Sequence, residues 1–433
     1  MGCCLVTTGP GGTNALTGVA AAWYDSIPVL FISGQVTTTT LMEGTGLRQR
    51  GVQETDIIDL VRPITKYAQT VTIARNIQTA LESALRLAKR ARSGPVWIDI
   101  PLDVQGQRFE PMPRHPMFNG DDGKYFTAGA RIPTVIDMLR AAQRPVLIAG
   151  NGIRLACAAD AFRKLVDRLG IPVVTSWGAA DMLASDHPLH IGHCGIFGDR
   201  ASNFAVQNAD LLLVIGCRLS IPQTGYNLAT FAREAKIIMV DVDQAEIDKL
   251  GAKVTLPVRA DAGAFIEALL REDLPYQHGP CFGCERCYDY LRVESWRRQC
   301  AEWKARYPVV TDEQHNATGA VNSYAFIEEL SKRLPDDAIV CTDAGTAYTC
   351  TFQAAKMKLG QRWIFPHGHA CMGAGLPLAI GAAFATGRKV VCIVGDGGFQ
   401  MNLAELGVIA HYKLTIIIFV LNNGGYLTMR HTF

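Results

Sequence analysis

Neither sign of charge dominates this chain. Lysine and arginine total 42 against 40 acidic residues, which leaves +2 over 433 residues. A balance so even gives no basic face for nucleic acid or a charged lipid surface. Long apolar runs are missing too: none approaches the roughly 20 residues of a membrane-spanning helix. No basic–apolar–small leader opens the chain, so a cytoplasmic protein with no membrane and no nucleic-acid partner is expected. Cysteine is not scarce, at 13 residues. Cys217, Cys341 and Cys392 lie inside apolar runs, which predicts reduced core thiols and argues against a disulfide scaffold.

Hydrophobic residues make up 48% of the chain, enough for sizeable buried sheets. At about 150 residues per domain the length suggests roughly three domains. Strand and helix patterns alternate throughout, which predicts an α/β architecture of parallel sheets. Both ends fall inside predicted elements. Met1 to Thr7 begins in a core strand, and Phe433 stops one turn beyond Asn423. A fragment, truncated at both ends, is expected.

The most informative stretch is Val394-Gly395-Asp396-Gly397-Gly398-Phe399-Gln400-Met401-Asn402, followed by Leu421-Asn422-Asn423-Gly424-Gly425. The β-branched run Val390 to Val394 predicts a buried parallel strand. A helical pattern follows through Leu403, Leu406 and Ile409, then a second buried run from Leu414 to Leu421. A glycine turn between strand and helix presents N–H groups to an anion. Asp396 adds a carboxylate and Asn423 an amide oxygen, hard oxygen donors of the kind Mg²⁺ prefers. Open parallel sheets bind ligands at such strand ends.

Gly-Asp-Gly followed at this spacing by Asn-Asn resembles the signature of thiamine diphosphate-dependent enzymes of the acetolactate synthase and 2-oxo acid decarboxylase family. The resemblance implies that Asp396, Asn423 and the Gly425 carbonyl hold Mg²⁺ against the diphosphate. It also implies three α/β domains: pyrimidine-binding (1–105), central and Rossmann-like (130–271) and diphosphate-binding (319–433). Residues 272–318 are expected to form a linker, as is the Pro- and Gly-rich stretch 105–132.

In the first domain the resemblance rests on Thr7-Thr8-Gly9-Pro10-Gly11-Gly12-Thr13-Asn14, Gly34-Gln35-Val36, Arg62-Pro63-Ile64-Thr65-Lys66 and Ile98-Asp99-Ile100-Pro101. Locally, Gly9 to Gly12 reads as a plain strand–helix connection. Relatives carry a cofactor-activating glutamate about twenty residues upstream of this strand, which here would precede Met1. Neither Glu43 nor Glu54 occupies that motif, so these 433 residues alone are expected to be poorly active. Acetolactate synthases also place an acidic residue, a small residue and a phenylalanine before Gln-Glu. Here Leu47-Arg48-Gln49-Arg50-Gly51-Val52 precedes Gln53-Glu54, longer and without the aromatic. Gln53 is the candidate for reaching substrate. Arg48 and Arg50 leave open a bulkier anionic acceptor or a solvated basic loop.

In the central domain Gly150-Asn151-Gly152 lacks the third glycine of a dinucleotide fingerprint. Gly216-Cys217-Arg218 is not followed by the aspartates that accompany FAD in acetolactate synthases, so FAD is doubtful and no tight flavin is expected. His187, His190 and His193 read as surface or core histidines. Cys281, Cys284 and Cys287 have C-x₂-C-x₂-C spacing, with Cys300 a conceivable fourth ligand. The ferredoxin continuation is absent, and a Cys-bearing linker is the reading taken.

In the third domain the resemblance implies that Met372 wedges the cofactor rings into a bent form. The Ala370 carbonyl would meet the aminopyrimidine, and Gly345, Thr346, Gly397 and Gly398 the diphosphate. The activity implied is decarboxylation of a 2-oxo acid such as pyruvate and addition of the two-carbon unit to a carbonyl acceptor. Alternatives within the class are a simple decarboxylase or transfer to a sugar; outside it stands a non-catalytic cofactor-binding remnant. A homodimer or homotetramer is implied.

Overall fold

The computed structural model describes residues 1–110, 128–276 and 285–432. They form two compact units. One holds the described residues up to 110 together with Pro366–Cys371, and the other holds the remainder.

The first unit is built on β1 (Gly2–Val6), β2 (Val29–Gln35), β3 (Ala68–Thr70) and β4 (Val96–Pro101). They pair in the order β1-β2-β4-β3, all parallel. The helix Ile77–Lys89 presents Ala80, Ala84 and Ala88 at i, i+4 and i+8 to Leu30, Val96 and Ile98. Small residues at that spacing let the helix lie close on the sheet. On the other face Phe31 stacks on Trp97, with ring centroids 5.1 Å apart. A buried polar ladder crosses the strand ends. Asp99 accepts from Ser33 Oγ at 2.5 Å and from Gln35 Nε2 at 3.1 Å. The Pro366–Cys371 segment is tied in by Gly368 N–H, which donates to Asp25 Oδ1 at 2.7 Å, and by His369 stacked on Tyr24.

In the second unit, six strands form the larger sheet: β5 (Pro145–Ala149), β6 (Val173–Thr175), β7 (His190–His193), β8 (Leu211–Ile215), β9 (Lys236–Asp241) and β10 (Leu256–Arg259). Their order is β10-β9-β8-β5-β6-β7, again parallel. β5 and β8 are buried along their whole length, as strands covered on both faces must be. His190 and His193 are core residues, both against Thr175 Oγ1.

Within 272–318, expected to be a linker, the chain forms the helix Glu285–Arg306. Val293, Trp296 and Cys300 recur at helical spacing and are buried, with Trp303 packed beside them. Trp296 Nε1 donates to the Pro145 carbonyl at 3.1 Å. Charge and proline composition suggested a linker, whereas the apolar period carries the helix. Cys281 and Cys284 and the Cys287 side chain lie outside the described residues. Cys300 is buried, and burial pushes its thiol up. The described cysteines are free thiols.

The third sheet comprises β11 (Ile339–Thr342), β12 (Arg362–Ile364), β13 (Val390–Gly395) and β14 (Ile416–Leu421). All pairs are parallel in the order β12-β11-β13-β14. Chain direction across the sheet reverses between β11 and β13, so a switch-point crevice opens at their carboxyl ends. Three parallel sheets thus match the expected fold class. Among the described residues no helix is long and apolar enough to cross a membrane.

Candidate cofactor site

Every loop at the carboxyl edge of the β11–β13–β14 ladder carries a residue singled out from sequence. β13 and β14 pair with Gly395 opposite Leu421, so Asp396 and the Asn422-Asn423 pair leave adjacent strand ends. Asp396 Oδ2 accepts from Gly425 N–H at 2.8 Å, and its Oδ1 accepts from Gly397 N–H at 2.8 Å. Gly424, Gly425 and Tyr426 all have positive φ, of 75°, 85° and 45°. Two glycines and one strained tyrosine therefore turn the backbone back toward Asp396.

Asn423 Nδ2 donates to Thr346 Oγ1 at 3.3 Å, the first residue of the helix Thr346–Ala354. Gly345 caps that helix at φ 74°. Asn423 Oδ1 is buried and has no hydrogen-bond partner. A buried amide oxygen without a donor costs about 1–3 kcal/mol unless something fills its lone pairs. Carboxylate, amide oxygen and backbone carbonyl are donors suited to Mg²⁺, and the residues present fit that ion and the diphosphate it would hold. The helix following Asp396 is shorter than the periodicity predicts. It ends at Met401, and a second helix, Glu405–His411, resumes after a break.

Met372 stands over the glycine turn. A Cβ built on Gly397 would lie 3.0 Å from Met372 Cε and 3.7 Å from the Tyr426 ring, so the methionine methyl rests directly against this glycine. Gly398 is held differently, since its Cβ would fall 2.8 Å from Asp343 Cγ. Asp343 is a site residue that sequence reasoning passed over. It is buried, and its carboxylate accepts from Ala344, Gly373 and Gly375 N–H groups at 2.7, 2.9 and 2.9 Å. The sequence marks it only as an acidic residue directly after the buried run Ile339–Thr342, which does not say where the carboxylate goes.

Gly345, Thr346, Met372, Asp396, Gly397, Gly398, Asn423 and Gly425 therefore gather in one unit. Gln53 and Ala370 belong to the other. Ala370 has φ 52°, and its N–H donates to the Pro366 carbonyl at 2.7 Å. Gln53 is exposed with φ 62°. Its carbonyl rests on Gly9, where a Cβ would come within 2.0 Å of that oxygen. The neighbouring Glu54 is buried and accepts from the N–H groups of Met42, Arg50 at 2.9 Å and Gly51 at 2.8 Å. Burial works to raise its pKa. The backbone donors and the Arg50 charge outweigh that and leave the carboxyl below its ordinary range. Glu54 thus clamps the 42–54 loop.

At the switch point of the six-stranded sheet the glycines are spent on packing. Gly152 N–H donates to the Gly216 carbonyl at 2.9 Å, and a Cβ on Gly150 would meet that oxygen at 2.0 Å. The glycine pattern there is accounted for by two backbone turns in contact. His315, Glu328 and Glu329 place ligand atoms close enough for a metal. Glu328 is already paired with His315, Lys332 and Lys356.

Three family models match the chain. The thiamine pyrophosphate enzyme N-terminal TPP binding domain covers residues 1–91, the central domain 132–269 and the C-terminal TPP binding domain 343–432. The acetolactate synthase large subunit of Parasynechococcus marenigrum is 34% identical over 98% of this chain and 65% of its own length. The Escherichia coli acetolactate synthase isozyme 1 large subunit is 34% identical over 97% of this chain and 70% of its own. The probable acetolactate synthase large subunit of Methanococcus aeolicus is 32% identical, over 98% and 70%. The chain thus spans about two thirds of the length of these relatives.

Proposed function

The chain belongs to the thiamine pyrophosphate enzymes of the acetolactate synthase type, and from that premise we propose that it is a thiamine diphosphate- and Mg²⁺-dependent carboligase acting on a 2-oxo acid such as pyruvate. The observation that carries this is the unpartnered Asn423 Oδ1 beside Asp396 at adjoining strand ends. When bound, thiamine diphosphate supplies the electron sink that decarboxylation and carbon–carbon bond formation require.

The chain's own residues do the positioning. Asp396, Asn423 and the Gly425 carbonyl would hold Mg²⁺ against the diphosphate. Gly397 and Gly398 let the backbone approach the diphosphate, and Gly345 and Thr346 open a helix toward the same charge. Met372, beside Gly397, would support the cofactor rings, and the Ala370 carbonyl would be the acceptor for the aminopyrimidine. Gln53 meets the substrate. The acceptor is a small carbonyl compound. The six-stranded sheet acts as a scaffold without flavin, a reading supported by the Gly152 N–H already given to Gly216. Free cysteines throughout the described residues suit a reducing cytoplasm, and a homodimer or homotetramer is proposed as the working assembly.

The test is to assay pyruvate consumption by the full-length protein with Mg²⁺, thiamine diphosphate and candidate carbonyl acceptors. Cofactor-dependent consumption with a ligated product is expected. Cofactor binding without turnover in the presence of any 2-oxo acid would leave a binding remnant in place of the enzyme. A stoichiometric flavin absorbance would overturn the scaffold reading of the central sheet.

A further inference from the structure

We propose that Asp343 and Asn402 form a positioning pair that holds Gly373 by its backbone N–H and its carbonyl and thereby fixes Met372 beside the Gly397 turn. This rests on the cofactor site assigned above. Asp343 Oδ1 accepts the Gly373 N–H at 2.9 Å, and Asn402 Nδ2 donates to the Gly373 carbonyl at 2.7 Å. The peptide on each side of Gly373 is thus bound, the first at its N–H by Asp343 after β11 and the second at its carbonyl by Asn402 at the end of the helix Asp396–Met401. Gly373 sits at φ 88°, and a Cβ there would meet Asn402 Nδ2 at 2.9 Å and Met401 Cβ at 3.0 Å. The turn admits no side chain and little displacement.

The same carboxylate sets the other half of the site. Asp343 Oδ2 accepts from Gly375 N–H at 2.9 Å, at the start of the helix Gly375–Thr386. Its Cγ would lie 2.8 Å from a Cβ on Gly398. Asp343 therefore spaces the Met372 turn from the Asp396-Gly397-Gly398 turn, and Asn402, six residues past Asp396, returns from the far side of the latter to lock the former. Neither side chain is assigned to cofactor, metal or substrate. Both act through Met372, and a misplacement of about 1 Å at a reacting centre can cost on the order of 10²-fold in rate.

The test compares Asn402→Ala, Met372→Ala and the double variant in the full-length protein. Three properties are read: Mg²⁺-dependent affinity for thiamine diphosphate by tryptophan fluorescence, the near-ultraviolet circular dichroism of bound cofactor, and pyruvate turnover. Asn402→Ala should leave affinity within about threefold, change the dichroism and lower kcat about 10–100-fold. In the Met372→Ala background the same substitution should cost almost nothing further, because its effect passes through that side chain. Asp343→Asn, which loses one of the two carboxylate acceptors for Gly373 and Gly375 N–H, should likewise alter the dichroism.

Unchanged dichroism and kcat in a folded Asn402→Ala protein would overturn the proposal. So would losses that simply add in the double variant. Wild-type protein that binds no thiamine diphosphate would remove the cofactor site itself, and with it this inference. That outcome is distinguishable because it appears before any substitution is made.

Discussion

Asn423 donates its side-chain amide to Thr346 Oγ1 at 3.3 Å while its own Oδ1 stays buried without a donor. The contact fixes which end of the amide faces Thr346 and leaves the oxygen end without a hydrogen-bond partner. An oxygen so oriented is ready for a cation. Asn423→Ala removes a proposed ligand outright, and Asp396→Asn removes the charge. Each should weaken Mg²⁺-supported thiamine diphosphate binding by at least the roughly 10–100-fold typical of lost metal-site partners. Titrating Mg²⁺ at fixed cofactor and following tryptophan fluorescence measures this. Stripping the metal with a chelator should release cofactor from wild-type protein. Affinity that ignores both substitutions would dismiss the metal assignment.

Gly9 and Gln53 supply the second prediction. Gly9 has φ 56° and ψ −109°, a sparsely populated region that costs other residues roughly 1–3 kcal/mol, and its missing Cβ makes room for the Gln53 carbonyl. Gly9→Ala should therefore lose at least that stability and displace the loop that Glu54 clamps. Gly18 is the control: it lies within the helix Leu16–Tyr24, with nothing within 4 Å of an added Cβ. Gly18→Ala should be neutral or stabilising by about 0.5–1 kcal/mol. Urea denaturation of the two variants should move in opposite directions, and equal losses would mean that the Gln53 contact is not what constrains Gly9.

How much of this was legible beforehand depends on how locally each feature is encoded. The strands were, because buried parallel strands are written as uninterrupted β-branched runs such as Val390 to Val394. Asp396 and Asn423 were, because the turns carrying them have fixed spacing. Asp343 was not. Its partners at Gly373, Gly375 and Gly398 are 30 or more residues away, and a lone aspartate after a strand carries no mark of where its carboxylate goes. The helix Glu285–Arg306 was missed for another reason. Its apolar stripe of Val293, Trp296, Cys300 and Trp303 is diluted by arginines and glutamates, so composition concealed the period. Glu54 falls outside the family's glutamate motif, and nothing local marks it as a buried clamp. Its three N–H donors come from a loop whose shape only folding reveals.

The third prediction concerns Asp181, buried among basic partners. Its carboxylate accepts from Arg154, from Arg362 Nη1 at 2.7 Å and from Trp363 N–H at 2.9 Å. Asp181 joins the helical turn Trp177–Met182 after β6 to β12 of the third sheet, within the second unit. Removing one partner of a buried ion group leaves the others uncompensated, typically at about 3–5 kcal/mol. Asp181→Ala should cost that much in urea denaturation. Asp181→Asn should cost less, since its remaining oxygen still accepts from Trp363. Equal costs would show that the charge contributes nothing and that the backbone hydrogen bond carries the contact.

The last prediction is a pH dependence set by Asp99 in the first unit. Burial raises its pKa to about 6; donors from Ser33, Gln35 and Thr70 hold it back, and the Asp56 charge adds slightly to the rise. An unfolded aspartate titrates near 3.9. The folded state therefore binds this proton more tightly than the unfolded state does. Below about pH 4 both states are protonated and the group costs nothing. As pH rises toward 6 the unfolded chain ionises first, and folding stability falls. Above 6 the full cost is present, on the order of 3 kcal/mol for about two pKa units. Asp99→Asn cannot ionise, so the stability of wild type relative to this variant should drop by about 2 kcal/mol between pH 4.5 and 7.5. The measurement is paired urea denaturation across that range, with subtraction cancelling every other titrating group. A flat difference would mean that Asp99 is ionised at its ordinary pKa in the folded protein. A difference that grew with pH would mean that the Ser33, Gln35 and Thr70 donors outweigh burial.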